Sequence, residues 1–340
     1  MPMIPRPPFD LECEAALSQL TVRLPSPITV DMIPAIREGS AALFPSVESS
    51  IGDRPVEVEH RTIPGPGGAP ALEISILYPR GVSSAAPVVY YIHGGGMFLG
   101  NRFLGAEQLA GWVDALGVVV VTVEYRLAPE NPDPAPVEDC YAGLVWTAAN
   151  AAEIGIDATR LVIVGESAGG GLAAGTALLA RDRGGPALAA QMLIAPMLDD
   201  RTNTFSCEQF DGVGLWDKRS NLFGWTTLLG ERRGTESVSH YAAPARADDL
   251  SGLPPAFIDV SSTEMLRDES VAYAAKMWAA GTQAELHVWP GGFHSLAPTA
   301  RISIEARAAR TAWLRRILDR KLPGLSHERP RTRSGPGQVP

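Results

Sequence analysis

The chain has 340 residues, 45% of them hydrophobic, and its 38 acidic against 29 basic side chains give a net charge of -9. This length allows one large α/β domain or two medium ones, and the acidic balance disfavours nucleic acids and anionic membrane surfaces as partners. The N-terminal residues have no apolar core for a signal peptide, and no later apolar run reaches membrane-spanning length. The three cysteines lack metal-ligand spacing and make an odd number, so we predict no metal site, no disulfide framework and a cytoplasmic location.

Strand and helix patterns alternate along most of the chain, which favours a largely parallel sheet flanked by helices. Residues 117–123 are the clearest strand, because they are apolar on both faces, as a central parallel strand requires. The first two strands alternate apolar and polar residues and should form an antiparallel edge. The predicted strands are 56–62, 70–78, 87–92, 117–123, 161–165, 190–195, 255–260 and 284–289. The predicted helices lie near residues 105–116, 137–153, 168–183, 265–280 and 301–320.

A glycine run, His93-Gly94-Gly95-Gly96, follows the strand at 87–92 directly. Successive glycines let the backbone approach a ligand and point neighbouring N–H groups the same way, and such donors stabilise the oxyanion of acyl transfer. We predict Gly95 and Gly96 as donors, Gly94 as the turn residue and His93 as a structural hydrogen-bonding residue. The alternative is a phosphate cradle, but the run lacks a Gly-Lys-Ser/Thr ending and a Gly-x-Gly-x-x-Gly that opens a helix. Next in the chain, Met97, Phe98 and Leu99 are candidates for pocket walls.

The sequence Gly165-Glu166-Ser167-Ala168-Gly169 follows an apolar run and precedes a helical stretch of small residues. Gly-x-Ser-x-Gly is the form of a nucleophile elbow, in which the serine stands at the apex of a sharp strand-to-helix turn. Bulky residues two positions away would collide with neighbouring strands. We predict Ser167 as a nucleophile and the N–H of Ala168 as a third oxyanion donor. The alternative is an ordinary buried turn with a chance serine.

Three acids follow the start of the strand at 255–260, and each could orient a general base. Asp259 lies inside the strand, Glu264 lies just past its end, and Asp268 lies in the first turn of the next helix. A carboxylate in a first helical turn favours the helix dipole and needs no catalytic explanation. The sequence therefore favours Glu264, while Asp259 and Asp268 stay open.

Of the six histidines, His294 alone lies in a glycine-rich loop directly after a late strand. Imidazole can take up and return a proton near neutral pH. We predict His294 as the general base, which completes the chain order serine, acid, histidine. Beyond it, the tail at residues 323–340 is rich in Pro, Gly, Ser and Arg and is predicted to be disordered.

Motifs in a fixed order from about residue 85 to 300 resemble the hormone-sensitive-lipase-like esterases of the α/β-hydrolase superfamily. They are His93-Gly94-Gly95-Gly96, Tyr125-Arg126-Leu127-Ala128-Pro129-Glu130 with Pro136-Val137-Glu138-Asp139, Gly165-Glu166-Ser167-Ala168-Gly169-Gly170, Leu266-Arg267-Asp268-Glu269 and Gly292-Phe293-His294. Two departures stand out. Many relatives carry Asp where this chain has Glu166. Many also carry an Asp-Pro-Leu-Arg-Asp segment whose first Asp is the triad acid; that position falls on Glu264 here, and the proline falls on Met265.

The resemblance implies an α/β-hydrolase fold with a catalytic domain at residues 46–322 and a helical cap formed by residues 1–45 and 200–235. It also implies a serine carboxylesterase that hydrolyses short- to medium-chain, moderately hydrophobic small-molecule esters through an acyl-enzyme, without metal or cofactor. Lactonase or amidase activity would use the same residues and stays open. The gibberellin receptors, non-catalytic ligand binders on this fold, lack the catalytic histidine that this chain has in His294. Relatives often dimerise through the edge of the sheet, so a homodimer also stays open.

Overall fold

The computed structural model describes residues 4–19, 28–40, 45–81, 85–294 and 297–319, and within these ranges eight strands form one sheet. The strand order is β1-β2-β4-β3-β5-β6-β7-β8. Strand β2 is antiparallel to both of its neighbours, β1 and β4, whereas β4, β3, β5, β6, β7 and β8 pair in parallel. The strands are β1 Val56–Ile63, β2 Leu72–Pro79, β3 Ala86–Ile92, β4 Val119–Val123, β5 Ile156–Glu166, β6 Ala190–Ile194, β7 Ala256–Ser261 and β8 Ala284–Trp289. The predicted eight-stranded, mostly parallel sheet with an antiparallel edge is confirmed.

Ten α-helices lie within the described ranges, joined by short 3-10 turns. The helices are α1 Leu11–Gln19, α2 Ile33–Ser40, α3 Val47–Ile51, α4 Ala106–Leu116, α5 Ala135–Ala149, α6 Ala168–Asp182, α7 Phe205–Gln209, α8 Lys218–Leu229, α9 Arg267–Ala279 and α10 Arg301–Leu318. The 3-10 turns are Val30–Met32, Pro66–Gly68, Gly230–Arg232 and Pro244–Arg246. The five predicted core helices correspond to α4, α5, α6, α9 and α10. None of the helices in the described part of the chain is long and apolar enough to cross a lipid bilayer.

Helices cover both faces of the sheet, which explains why its central strands are apolar throughout. On β4, Val119, Val121 and Val123 face the core with α5, α6 and α9, whereas Val120 faces the core with α3, α4 and α10. Successive side chains of a strand point to opposite faces, so every position of β4 is buried. Burial of one such side chain stabilises the fold by roughly 1.5–3 kcal/mol.

Helices α1, α2, α7 and α8 fall within the two segments that the resemblance assigned to a cap. The cap role of residues 1–45 and 200–235, and the catalytic domain bounds 46–322, stay predictions. The tail at residues 323–340 lies outside the described residues.

Candidate active site

Ser167 lies between the end of β5 and the start of α6, at a sharp turn in the backbone. Its φ of 57° and ψ of -122° are unusual for a residue with a side chain. Two of its backbone hydrogen bonds join it to the end of β6 and the loop beyond: its N–H donates to the carbonyl of Ile194 (2.8 Å), and its carbonyl accepts the N–H of Met197 (3.0 Å). The loop after β6 therefore fixes the conformation of the turn.

The glycines around Ser167 are required by close backbone contacts. A Cβ atom on Gly165 would lie 2.0 Å from the carbonyl oxygen of Gly169, and one on Gly169 would lie 2.1 Å from that of Ile92. No side chain fits at these distances. The spacing of the predicted elbow thus has a steric cause in β3 and in the first turn of α6.

A continuous series of hydrogen bonds joins Ser167, His294 and Glu264. His294 Nε2 lies 2.8 Å from Ser167 Oγ, and His294 Nδ1 lies 2.7 Å from Glu264 Oε2. The other carboxylate oxygen, Oε1, accepts the N–H of Ser261 at 2.7 Å. All three side chains are buried, and they come from the C-terminal ends of β5, β7 and β8, where parallel sheets bind ligands.

The acid and the histidine lie on two loops that are tied to each other. The N–H of Ser262 donates to the carbonyl of Trp289 (2.8 Å), and the N–H of Gly291 donates to Ser262 Oγ (3.1 Å). The hydroxyl of Thr263 donates to the carbonyl of Gly292. These contacts set the distance between Glu264 and the imidazole independently of the hydrogen bond that joins them.

The other two candidate acids have different partners. Asp259 is fully buried and accepts hydrogen bonds from Arg310 Nε (2.7 Å) and Trp289 Nε1 (3.0 Å). Burial works against the charge of Arg310, but the attraction of Asp259 and its hydrogen bond outweigh burial, so the pKa of this guanidinium is raised. Asp268 accepts the N–H of Ser206 at 2.7 Å. The structure therefore brings Glu264 to His294 and directs Asp259 and Asp268 elsewhere.

The glycine run forms a tight turn beside Ser167. Gly95 and Gly96 have φ of 117° and 61°, in the region that favours glycine, and the N–H of Leu99 donates to the carbonyl of Gly95 (2.8 Å). Within the described ranges, the N–H groups of Gly95, Gly96 and Ala168 donate to no other backbone or side-chain atom. These three N–H groups thus have no acceptor within the described residues, and both glycines line the cavity at Ser167.

His93 holds this turn through a hydrogen bond and through its contacts with Tyr125. Its Nδ1 donates to the carbonyl of Gly94 (2.7 Å), its ring stacks on Tyr125 at 4.2 Å, and its carbonyl accepts the hydroxyl of Tyr125 (2.9 Å). Complete burial lowers the pKa of His93. These contacts agree with the structural role predicted for His93. Glu166 lines the cavity next to Ser167.

Arg37 on α2 also holds the glycine turn, and sequence reasoning missed it. Its Nε donates to the carbonyl of Phe98 (2.9 Å), and its Nη2 donates to the carbonyl of Ala128 (2.9 Å). Both terminal nitrogens also pair with Glu130, whose pKa is lowered by these hydrogen bonds. Two of the partners are backbone carbonyls, which leave no trace in a sequence.

A cavity of about 1400 Å³ opens at Ser167. Of the three predicted wall residues, Leu99 lines it, whereas Met97 and Phe98 are fully buried in the core and do not. The φ of 71° at Met97 belongs to the tight turn that directs these side chains inward. Trp216, Leu215 and Phe293 line the cavity instead. Sequence analysis did not single out Trp216, because no local motif marks it as a cavity residue.

Comparisons with known proteins agree on fold and name similar enzymes. A family model described as alpha/beta hydrolase fold matches residues 89–297. Carboxylesterase NlhH of Mycobacterium tuberculosis is 37% identical over 271 residues, which span 77% of this chain and 83% of the relative. The solved structure of a bacterial heroin esterase has a TM-score of 0.84 and 39% identity, and the match covers 91% of this chain and 98% of that one. Esterase LipW of Mycobacterium marinum has a TM-score of 0.83 and 30% identity, over 93% and 99% of the two chains.

Proposed function

The chain belongs to the hormone-sensitive-lipase-like family of α/β-hydrolases, and we propose that it is a serine carboxylesterase for short- to medium-chain, moderately hydrophobic esters. One observation carries the proposal: the hydrogen-bonded series from Glu264 through His294 to Ser167 faces the same cavity as the glycine turn. A nucleophile, a base, an orienting acid and oxyanion donors are the complete set that acyl transfer to a serine needs.

In the proposed reaction, Ser167 Oγ attacks the ester carbonyl carbon while its proton passes to His294 Nε2. Glu264 holds the imidazole with its other proton on Nδ1 and stabilises the imidazolium that forms. The N–H groups of Gly95, Gly96 and Ala168 donate to the oxyanion, and each such donor contributes about 3–4 kcal/mol to the transition state.

The tetrahedral intermediate collapses when the imidazolium gives its proton to the departing alkoxide, which leaves as the alcohol. Water then attacks the acyl-enzyme and loses a proton to His294, and the second intermediate releases the carboxylic acid and restores Ser167. Apart from the ester and water, each step uses side chains and backbone groups of this chain.

The walls of the cavity support a hydrophobic substrate. Leu99, Leu215, Trp216 and Phe293 line the same cavity as Ser167 and offer apolar surface, which suits alkyl or aryl groups better than sugars. A cytoplasmic location is part of the proposal, because Cys13, Cys140 and Cys207 are buried free thiols, as suits a reducing compartment. A homodimer stays a prediction.

The test is hydrolysis of p-nitrophenyl esters from acetate to palmitate by the wild type and by Ser167→Ala. We expect a maximum of kcat/KM at short or medium acyl chains, and a loss of about 10⁴-fold or more in the variant. Thermal unfolding of both proteins controls for folding. If the wild type hydrolyses no ester, the proposal is wrong, and faster turnover of lactones or anilides would favour the alternative activities.

A further inference from the structure

Trp216 is held in one orientation by a short series of buried hydrogen bonds. Its indole Nε1 donates to Asn221 Oδ1 (3.1 Å), and Asn221 Nδ2 donates to Thr202 Oγ1 (3.0 Å). Trp216 directly precedes Asp217, whose carboxylate accepts the N–H of Ser220 (2.8 Å) and caps α8. The position and the rotation of the indole are therefore both fixed.

The six-membered part of this indole lies against the glycine turn. A Cβ atom on Gly96 would be 2.3 Å from Trp216 Cη2 and 3.1 Å from Cζ2, so the ring occupies the space beside the Cα atom of Gly96. The centroid of the His294 ring is 6.3 Å from that of Trp216. One side chain thus adjoins both a proposed oxyanion donor and the proposed general base.

Aromatic packing prevents the indole from moving away from the glycine turn. The ring centroids of Phe98 and Trp216 are 6.3 Å apart in a stacked pair, and those of Phe98 and Phe223 are 5.0 Å apart in a T-shaped pair. A Cβ atom on Gly224 would lie 3.5 Å from Trp216 Cζ2 and 2.8 Å from the carbonyl of Gly96. Close-packed interiors do not yield to a ligand at low cost, so Trp216 forms a rigid wall.

We propose that Trp216 sets the upper limit on the bulk of the groups attached to the ester carbonyl carbon. This inference rests on the proposed function. An ester bound between Ser167 Oγ and the N–H of Gly96 has the indole on one flank, and a longer substituent must pass it. Removal of the indole opens this space toward the cluster of Phe98 and Phe223. Each extra methylene buried there would raise kcat/KM roughly fourfold.

The experiment compares the wild type, Trp216→Ala and Trp216→Phe in two ester series. One series lengthens the acyl chain with p-nitrophenol as leaving group, and the other enlarges the alcohol of acetate esters. We expect Trp216→Ala to move the optimum toward larger groups by two or more methylenes in at least one series, with Trp216→Phe between it and the wild type. Trp225→Phe is the matched control, because Trp225 is a fully buried tryptophan of α8 that does not line the cavity; its optimum should be that of the wild type.

Two results would overturn the inference while leaving the esterase proposal intact. One is a folded Trp216→Ala with the wild-type size profile in both series. The other is a uniform loss of kcat/KM at every size, which would assign the indole to holding the glycine turn. If Trp216→Ala does not fold, Trp216→Phe decides between the same outcomes. A wild type without activity on any ester overturns the proposed function itself.

Discussion

Replacement of Glu264 by glutamine tests the proposed acid most directly, because Glu264→Gln keeps the shape of the side chain and removes its charge. In the folded protein both carboxylate oxygens are used: Oε1 accepts the N–H of Ser261 (2.7 Å), and Oε2 lies 2.7 Å from His294 Nδ1. The buried N–H of Ser261 still needs an acceptor in the variant, so the amide oxygen takes the place of Oε1. The amide NH2 group then faces His294.

An NH2 group only donates hydrogen bonds, so His294 Nδ1 must become an acceptor and the ring proton must lie on Nε2. There it faces Ser167, and the imidazole can no longer take the serine proton. The reverse orientation of the amide would leave the N–H of Ser261 unsatisfied, at a cost of about 1–3 kcal/mol. The orientation that disables the base is therefore the favoured one.

We expect kcat to fall by about 10⁴-fold, the loss found when a triad carboxylate is replaced by its amide with the geometry kept. At 1.36 kcal/mol per tenfold, this is about 5.4 kcal/mol of the activation free energy. KM should change little, because Glu264 lies behind the histidine. The assay is steady-state hydrolysis of p-nitrophenyl butyrate, with thermal unfolding to show that the variant is folded.

Asp268→Asn is the matched control, because Asp268 bonds the N–H of Ser206 and not the imidazole. Its kcat should stay within tenfold of the wild type. A folded Glu264→Gln with kcat within tenfold of the wild type would refute the reasoning, and a large loss in Asp268→Asn alone would move the acid there.

Three further predictions concern stability. Arg310→Met leaves the buried Asp259 without its cation, so urea denaturation should show a loss of about 3–5 kcal/mol; a loss under 1 kcal/mol would contradict the role of the pair. Burial raises the pKa of Glu269, so the folded state binds this proton more tightly than the unfolded state, and the contribution of Glu269 to stability falls as pH rises above 4.5. Glu269→Gln removes this titrating group, so the free energy of unfolding of the variant minus that of the wild type should increase from pH 4 to pH 7. A difference independent of pH would contradict the prediction. Ser167→Gly relieves the backbone strain at the φ of 57°, so its free energy of unfolding should be about 1 kcal/mol higher than that of Ser167→Ala. Equal free energies of unfolding would refute this prediction.

The sequence alone was sufficient for the fold and for the positions of Ser167 and His294 within it. Strand periodicity, glycine spacing and chain order are local patterns, because they reflect the alternation of side chains along a strand and the steric limits of a tight turn. These patterns placed Ser167 after β5 and His294 after β8, and the eight-stranded sheet agrees with them.

The tertiary structure decided which of three acids lies beside the histidine, and it added residues that no local pattern marks. Glu264 reaches His294 because hydrogen bonds across 27 and 29 residues of sequence join its loop to the loop of the histidine. Arg37 holds backbone carbonyls 61 and 91 residues away, and Trp216 lies against Gly96, which is still farther away in the chain. Such contacts form only when strands far apart in sequence become neighbours in the sheet, so only the folded chain determines the acid and the walls of the cavity.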